Sequence, residues 1–347
     1  MKDIRIGNFL IGENQPPFII AEMSGNHNQT LSRALAIVDA AAACGAHAIK
    51  LQTYTADTIT MKGVYSIADK NSLWHGQELY DLYKQAYTPW EWHKAIFDRA
   101  HEKGILAFSS PFDETAVDFL ETLNVPAYKI ASFENTHHPL LKKVAQTGKP
   151  VIISTGASTQ QDIEESLEVL RKNGCEQIVV LKCTSTYPAS PENTNLKTIP
   201  KFAKLFKTVV GLSDHTMGLG ASVGAIALGA RVIEKHFTLR RADGGVDSAF
   251  SLEPEELKSL VVESERAFLA LGTDFIGVQE AEMKSLQFKR SIYVSKPIQR
   301  GEAITKENIK IIRPAFGMAP KYYHLVLGKT ANRDLKPGYP LSEKDLQ

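Results

Sequence analysis

Two short stretches decide the fold: VVGLSDH (residues 209–215) and VIEKH (residues 232–236). Each begins apolar and β-branched and turns polar at its C-terminal end, as a strand does when both faces are covered and its tip meets a site. Six further runs read the same way, at 18–22, 48–52, 105–109, 127–131, 151–154 and 178–183. Helical stretches with their own start and stop signals separate them. Thr88-Pro89-Trp90-Glu91 reads as a capping box with proline at the first helical position, stopped at Gly104. Ser158 with Gln161 repeats the device as far as Gly174, and Glu253-Pro254 opens a last amphipathic helix with Leu257, Leu260 and Val261 on its apolar face. Eight βα units in series predict a (β/α)8 TIM barrel over residues 1–275. A doubly wound open sheet, the alternative, wants a GxGxxG turn after its first strand, and this chain has none there.

Beyond a polar linker at 276–289 the pattern changes to short strands and turns, and residues 290–347 repeat themselves. Ile298, Gly301, Ile304, Thr305, Asn308 and Ile309 align with Leu335, Gly338, Leu341, Ser342, Asp345 and Leu346. Each half sets a glycine turn before an apolar residue, then a Thr or Ser able to cap a short turn. A small second domain with internal pseudo-symmetry follows from this.

Composition narrows the function. In 347 residues, 40 Lys+Arg stand against 39 Asp+Glu, so no long-range field recruits nucleic acid or an anionic membrane, and any anionic ligand needs a local cluster. Three cysteines without CxxC spacing argue against a disulfide framework or a zinc-thiolate site and suit a reducing cytoplasm. The first apolar run, 18–21, is far too short for a signal sequence or a membrane span.

In a barrel of this kind reactive groups sit at the C-terminal strand ends. Here those ends carry Glu22; Lys50 and Gln52; Ser109 and Ser110; Lys129, Ser132 and Glu134; Ser154; Ser185 and Tyr187; Ser213, Asp214 and His215; Glu234 and His236. One polar strand end is what any strand shows on meeting water; a full ring of lysines, serines, carboxylates and histidines asks for chemistry. His215 and His236 end successive strands, and such a pair with open positions suits a divalent ion such as Mn²⁺, Mg²⁺ or Co²⁺. Lys50 and Lys129, each ending an apolar run, make an anion cradle with Ser132, Ser154 and Ser213. A lysine so placed is also the nucleophile a Schiff-base aldolase needs, and that alternative stays open here.

In this order and spacing, Ile20-Ala-Glu22, Ile49-Lys50-Leu-Gln52, Ser109-Ser110-Pro-Phe112, Tyr128-Lys129-Ile-Ala-Ser132, Ser154-Thr-Gly156, Cys183-Thr with Tyr187-Pro188, Gly211-Leu-Ser213-Asp-His215 and Glu234-Lys-His236 resemble the sialic acid synthase family, whose barrel is followed by an antifreeze-like (SAF, β-clip) domain. The resemblance covers essentially the whole chain. It implies a metal-dependent transferase that condenses phosphoenolpyruvate with an amino sugar and works as a domain-swapped homodimer. His215 and His236 would hold the metal, and Lys50, Ser110, Lys129, Ser132, Ser154 and Ser213 would hold phosphoenolpyruvate. Glu22 and Glu134 would handle protons, while Gln52, Tyr187, Asp247 and, from the partner's tail, Arg313 would face the sugar.

The resemblance is finer in places. Ala131 and Phe133 stand where the neuraminate branch typically has glycines around Ser132, and Ser185 replaces an asparagine of that branch. Val246-Asp247-Ser-Ala-Phe250 and Trp74-His-Gly-Gln-Glu-Leu-Tyr80 resemble the pseudaminate branch, whose acceptors are 6-deoxy sugars. An apolar Ala249-Phe250 segment suits a methyl group where the neuraminate precursor has a hydroxyl. Cell-surface or flagellar glycosylation is the implied destination of the product. An ice-binding protein, suggested by the tail alone, has no use for His215, His236 and Lys129 on one barrel rim.

Overall fold

The eight apolar runs form eight parallel strands that close on themselves. In this computed structural model, which describes residues 2–70 and 72–347, they are β3 (Phe18–Glu22), β4 (Ala48–Thr53), β5 (Leu106–Pro111), β6 (Tyr128–Ile130), β7 (Val151–Ser154), β8 (Ile178–Cys183), β9 (Val209–Asp214) and β10 (Val232–His236). Each pairs with the next and β10 with β3, with Val232 opposite Phe18 and His236 opposite Glu22. Before them come β1 (Ile4–Ile6) and β2 (Phe9–Ile11), an antiparallel hairpin.

Strand alternation divides the side chains into two sets. Ile19, Ala21, Ile49, Leu51, Val210, Leu212 and Ile233 face outward into a core shared with helices such as Leu31–Ala43 and Pro254–Leu271. Phe18, Ile20, Ala48, Phe108, Ile152, Val179, Leu181 and Val232 form a separate interior cluster, into which Ile4, Ile6 and Ile11 of the hairpin pack. The N-terminal half of the barrel is therefore filled and plugged with hydrocarbon. The next inward positions along the same strands have nowhere to lie but above that layer. Gly211 lies level with that layer, opposite Val232, where a Cβ would meet the Val232 carbonyl oxygen at 2.3 Å and Leu181 Cδ2 at 2.6 Å.

Helix starts differ from expectation at two points. The Thr88 hydroxyl turns to His27 Nε2, 3.3 Å away, so the helix His93–Glu102 is entered through the short 3₁₀ turn Trp90–Trp92 without a capping box. The helix Gln160–Lys172 is capped by Thr159 with Asp162, one residue beyond the expected pair, because the Ser158 hydroxyl is taken by Asn135 and the Gly156 carbonyl. No helix among the described residues is long and apolar enough to cross a membrane. Cys44, Cys175 and Cys183 are buried free thiols.

The chain divides between Gly272 and Thr273 into two compact units. In the second, β11 (Ser291–Val294) pairs antiparallel with β12 (Ile309–Ile312), and the two sequence repeats meet: Ile298 and Leu335 exchange both backbone hydrogen bonds, at 3.0 and 2.8 Å. The repeated caps also form, with Asn308 Oδ1 accepting from Thr305 N and Asp345 Oδ2 from Ser342 N. Ile298, Ile304, Ile309, Leu335 and Leu341 make this unit's core.

Candidate active site

The inward positions above the hydrocarbon layer are Glu22, Lys50, Gln52, Ser110, Lys129, Ser154, Ser213, Glu234 and His236, and strand alternation brings them into one chamber. Lys50 Nζ lies 2.8 Å from Glu22 Oε2 and donates to Ser110 Oγ at 3.2 Å. Gln52 Nε2 donates to Glu22 Oε1 at 2.9 Å and to Ser24 Oγ at 3.0 Å. Glu234 Oε1 is 3.4 Å from Lys129 Nζ and 3.7 Å from Lys50 Nζ, and accepts from Ser213 Oγ at 3.3 Å. Ser154 Oγ has no hydrogen-bond partner although it is buried. Ser132, just beyond β6, accepts from the Gly156 backbone N–H at 3.1 Å.

Two lysines and two glutamates so placed are all desolvated, and each is governed by its neighbours. Burial raises the Glu22 carboxyl above its usual range despite Lys50. Burial pulls Lys50 down, but Glu22 and Glu234 outweigh it and leave the ammonium raised. Lys129 ends below the ordinary lysine value because burial exceeds the pull of Glu234. For Glu234 the burial cost is overcome by Lys129 and Lys50, which hold it ionised. Glu234 stands in the ring of polar strand ends, but the sequence gives it no role of its own. Its role follows only once β10 is known to lie between β9 and β3, across the barrel from β6.

Above this chamber stand the two histidines, ring centroids 5.4 Å apart. His215 Nδ1 is 2.9 Å from the Thr184 carbonyl oxygen, a contact that assigns a proton to Nδ1; burial pulls this imidazole down, but Cys183 and the Thr184 carbonyl outweigh it and leave its pKa raised. The turn that presents it is pinned from outside the barrel: Asp214 accepts from Thr216 N, Thr216 Oγ1, Ser222 Oγ and the buried Lys235 ammonium. His236 Nδ1 has no hydrogen-bond partner and lies 3.8 Å from Asp247 Oδ2. Burial, then His215, holds the His236 imidazole neutral far below its usual pKa, the form a metal ligand needs. Among the described residues no group of three or more His, Cys, Asp or Glu is placed to hold a metal ion, and the candidate donors here are the two imidazoles alone. Cys183, quoted from sequence only as part of a motif, lies 3.9 Å from His215 Nδ1.

Tyr187 and Asp247 complete the rim. The Tyr187 ring centroid is 4.5 Å from that of His215, and Asp247 accepts a short hydrogen bond from the Ser24 hydroxyl. Burial raises the Asp247 carboxyl. A cavity of about 300 Å³ opens here, with Gln52, Ser132, Glu134, Tyr187, His236 and Asp247 and also Ile67, Trp74, Leu79 and Leu82 in its lining. Glu134 Oε2 is buried without a partner, and burial, partly offset by Lys129, lifts the carboxyl to about 7.

One expectation meets a different arrangement. Phe250 does not line this cavity; it is buried behind the metal-type pair, 4.9 Å from the His236 ring and 5.4 Å from that of Tyr187. Ala249 faces a neighbouring cavity of about 490 Å³. Ser185 faces an outer groove with Lys182 and Lys201. Arg313 belongs to the second unit, where it is exposed just after β12.

A closed barrel whose C-terminal rim joins paired histidines to buried lysines and carboxylates defines a class, and comparison with known proteins names it. The NeuB family model matches residues 37–275 and the SAF domain model residues 289–347; the chain belongs to the NeuB family and carries a C-terminal SAF domain. It is 44% identical to the pseudaminic acid synthase of Campylobacter jejuni subsp. jejuni serotype O:2 over 345 residues, 99% of this chain and all of that one. The pseudaminic acid synthase of Helicobacter pylori is 41% identical over 96% of this chain and 98% of its own. Among solved structures, the N-acetylneuraminic acid synthetase of Leptospira borgpetersenii in complex with citrate superposes with a TM-score of 0.75 at 33% identity, covering 83% of this chain and 96% of that one.

Proposed function

We propose that the chain condenses phosphoenolpyruvate with 2,4-diacetamido-2,4,6-trideoxy-β-L-altropyranose to give pseudaminic acid and phosphate. The observation that carries this reading is the pair Lys50 and Lys129 gathered by Glu234 beneath the His215–His236 pair, with His236 and Glu134 lining a cavity that Ile67, Leu79 and Leu82 also line. Identity to pseudaminic acid synthases over nearly the whole chain supports the choice of acceptor.

In this reading Lys50 and Lys129, with Ser110, Ser132, Ser154 and Ser213, hold the carboxylate and phosphate of phosphoenolpyruvate. Their charges stabilise the phosphate as it leaves. Gln52, Tyr187 and Asp247 orient the open-chain sugar. His215 and His236 would hold a divalent cation, Mn²⁺, Mg²⁺ or Co²⁺, which when bound acts as a Lewis acid towards the sugar aldehyde. C3 of the enolpyruvate bonds to the aldehyde carbon, whose oxygen takes up a proton to become a hydroxyl; water adds at C2, losing a proton, and the C2–O bond to phosphate breaks as the C2 hydroxyl loses its proton and becomes the carbonyl. Glu134, its carboxyl lifted to about 7, takes the proton from that water; Glu22, hydrogen-bonded to Gln52, is the second proton-handling group.

The barrel mouth carries Met61, Val64, Tyr65, Leu73, Phe133 and Met217 as exposed apolar side chains, a rim that favours a covering partner. The SAF domain of a second copy would supply that cover, bringing Arg313 to the sugar of the partner's site. The test is phosphate release from phosphoenolpyruvate with a panel of acceptors. Turnover with the 6-deoxy diacetamido sugar is expected; a strong preference for N-acetylmannosamine overturns the assignment.

A further inference from the structure

With Phe250 spent behind the histidines, the apolar side of the reaction cavity comes from elsewhere. Ile67, Trp74, Leu79 and Leu82 all belong to the connection that follows β4 and the helix Leu79–Ala86 into which it runs. This connection is a built arm. Ile67 N–H donates to Gln77 O, Gly76 N–H to Ile67 O and Leu79 N–H to Tyr65 O, with Ser66 bridging Glu78. Its tip is tied across the barrel mouth by Trp74, whose indole N–H donates to the Val246 carbonyl at 3.0 Å while its ring lies 6.0 Å from that of Tyr187.

The polar lining of the cavity, Gln52, Ser132, Glu134, His236 and Asp247, marks where the reacting carbonyl carbon belongs; its apolar lining comes from this arm with Ala86 and from Phe112, Ala131, Phe133 and Val246. An acceptor whose carbonyl carbon sits at His236 can lay its far end against Ile67, Leu79 and Leu82. The Ser72 hydroxyl, which also lines the cavity, accepts from the Trp74 backbone N–H at 3.2 Å. A hydroxyl group against Ile67, Leu79 and Leu82 would give up water and meet hydrocarbon.

The geometry points to this arm as the element that selects the acceptor: Ile67, Leu79 and Leu82 receive a deoxygenated terminal carbon, and the Trp74–Val246 hydrogen bond holds them over it. The inference rests on the proposed condensation and assigns its specificity to Ile67, Leu79 and Leu82 instead of to Ala249 and Phe250. An apolar recess discriminates against an added hydroxyl by about 10²-fold at most, which sets the scale of the effect.

Two acceptors that differ only in H or OH at the terminal carbon decide it. The unmodified enzyme should favour the deoxy sugar in kcat/KM, and Leu79→Ser and Ile67→Ser should each shrink that ratio by about tenfold with the KM for phosphoenolpyruvate unchanged. Trp74→Phe keeps the ring and loses only the N–H donor, so it should raise the KM for the acceptor and leave that for phosphoenolpyruvate alone. Normal turnover with an unmoved ratio in both serine variants, or a ratio that moves with Ala249→Ser instead, overturns the inference and spares the condensation. Phosphate release with neither sugar overturns the condensation and the inference with it.

Discussion

Glu234 Oε1 lies 3.4 Å from Lys129 Nζ, both groups buried, and the same carboxylate oxygen is within 3.7 Å of Lys50. One carboxylate thus holds two ammonium groups in the floor of the chamber. Removing its charge takes the ion-pair partner from buried Lys129, while Lys50 keeps Glu22 at 2.8 Å, a loss typically of about 3–5 kcal/mol for a broken buried pair. Glu234→Gln is nearly isosteric and should lower the melting temperature clearly. Phosphoenolpyruvate bound on those lysines replaces part of the missing charge, so it should raise the melting temperature of the variant more than that of the unmodified protein. Equal ligand shifts in the two proteins would mean that the lysines do not face the anion.

The two histidines give a second expectation. Exhaustive chelation should abolish phosphate release, and Mn²⁺, Mg²⁺ or Co²⁺ should restore it. His215→Ala or His236→Ala should remove most of that response, because the remaining imidazole alone is a weak anchor. Full activity in chelated enzyme rules the metal out.

Glu134 fixes the acid limb of the pH profile. Its carboxyl titrates at about 7 against an ordinary value of 4.5, raised by burial. A base works when deprotonated, so kcat should fall as pH drops through 7, and Glu134→Gln should lose activity by about 10²–10⁴-fold. The stability sign is opposite. Between 4.5 and 7 the folded state binds the proton that the unfolded state has released, so this group's contribution weakens as pH rises through that window. Glu134→Gln should therefore gain stability relative to the unmodified protein above pH 7 and lose that advantage below 4.5. A variant whose melting curve tracks the parent at every pH would show the carboxyl to be ordinary.

How much of this was readable before folding depends on the kind of signal. The strands were legible because each is apolar along its length, and period-two alternation alone separates Lys50 and Gln52 from Leu51. The repeat pairing of Ile298 with Leu335 was legible as a repeat, though not as a mutual hydrogen-bonded pair. Glu234 was not distinguished from any other strand-end carboxylate, since its meaning lies in a neighbour 105 residues earlier, as the numbering of Lys129 shows. Phe250 looked like a wall because its segment is apolar; only the packing of its ring against His236 reveals that the face is already spent. The run 74–80 was legible as a resemblance to the pseudaminate branch, but not as a wall: Ile67 and Trp74 lie outside any regular element, and Leu79 and Leu82 share a helix only eight residues long.

The scheme also fixes which bond of phosphoenolpyruvate breaks. Water adds to C2 and the C2–O bond is lost, so oxygen label in the bridging position should leave with phosphate. Retention of that label in the sugar acid would mean attack at phosphorus, and the roles given to Glu134 and the lysines would go with it.

The last expectation concerns Arg313, an exposed guanidinium beside Pro314 in the second unit. Exposure alone is ordinary for an arginine, and a lone surface guanidinium contributes little to stability. Its fork of donors does suit an N-acyl carbonyl or a hydroxyl of a sugar, and the apolar rim of Phe133, Met217 and Tyr65 around the barrel mouth favours a covering domain. If that cover is the tail of a second copy, Arg313→Ala and His215→Ala damage different halves of each site. Either variant alone should be inactive. Mixed in equal amounts with subunit exchange, half of the dimers are hybrids, and one of the two sites in each hybrid joins an intact barrel to an intact tail. Activity should return to about a quarter of the unmodified level, the statistical value for a two-fold dimer. If native mass spectrometry shows exchanged subunits and the mixture stays inactive, Arg313 acts within its own chain or not at all.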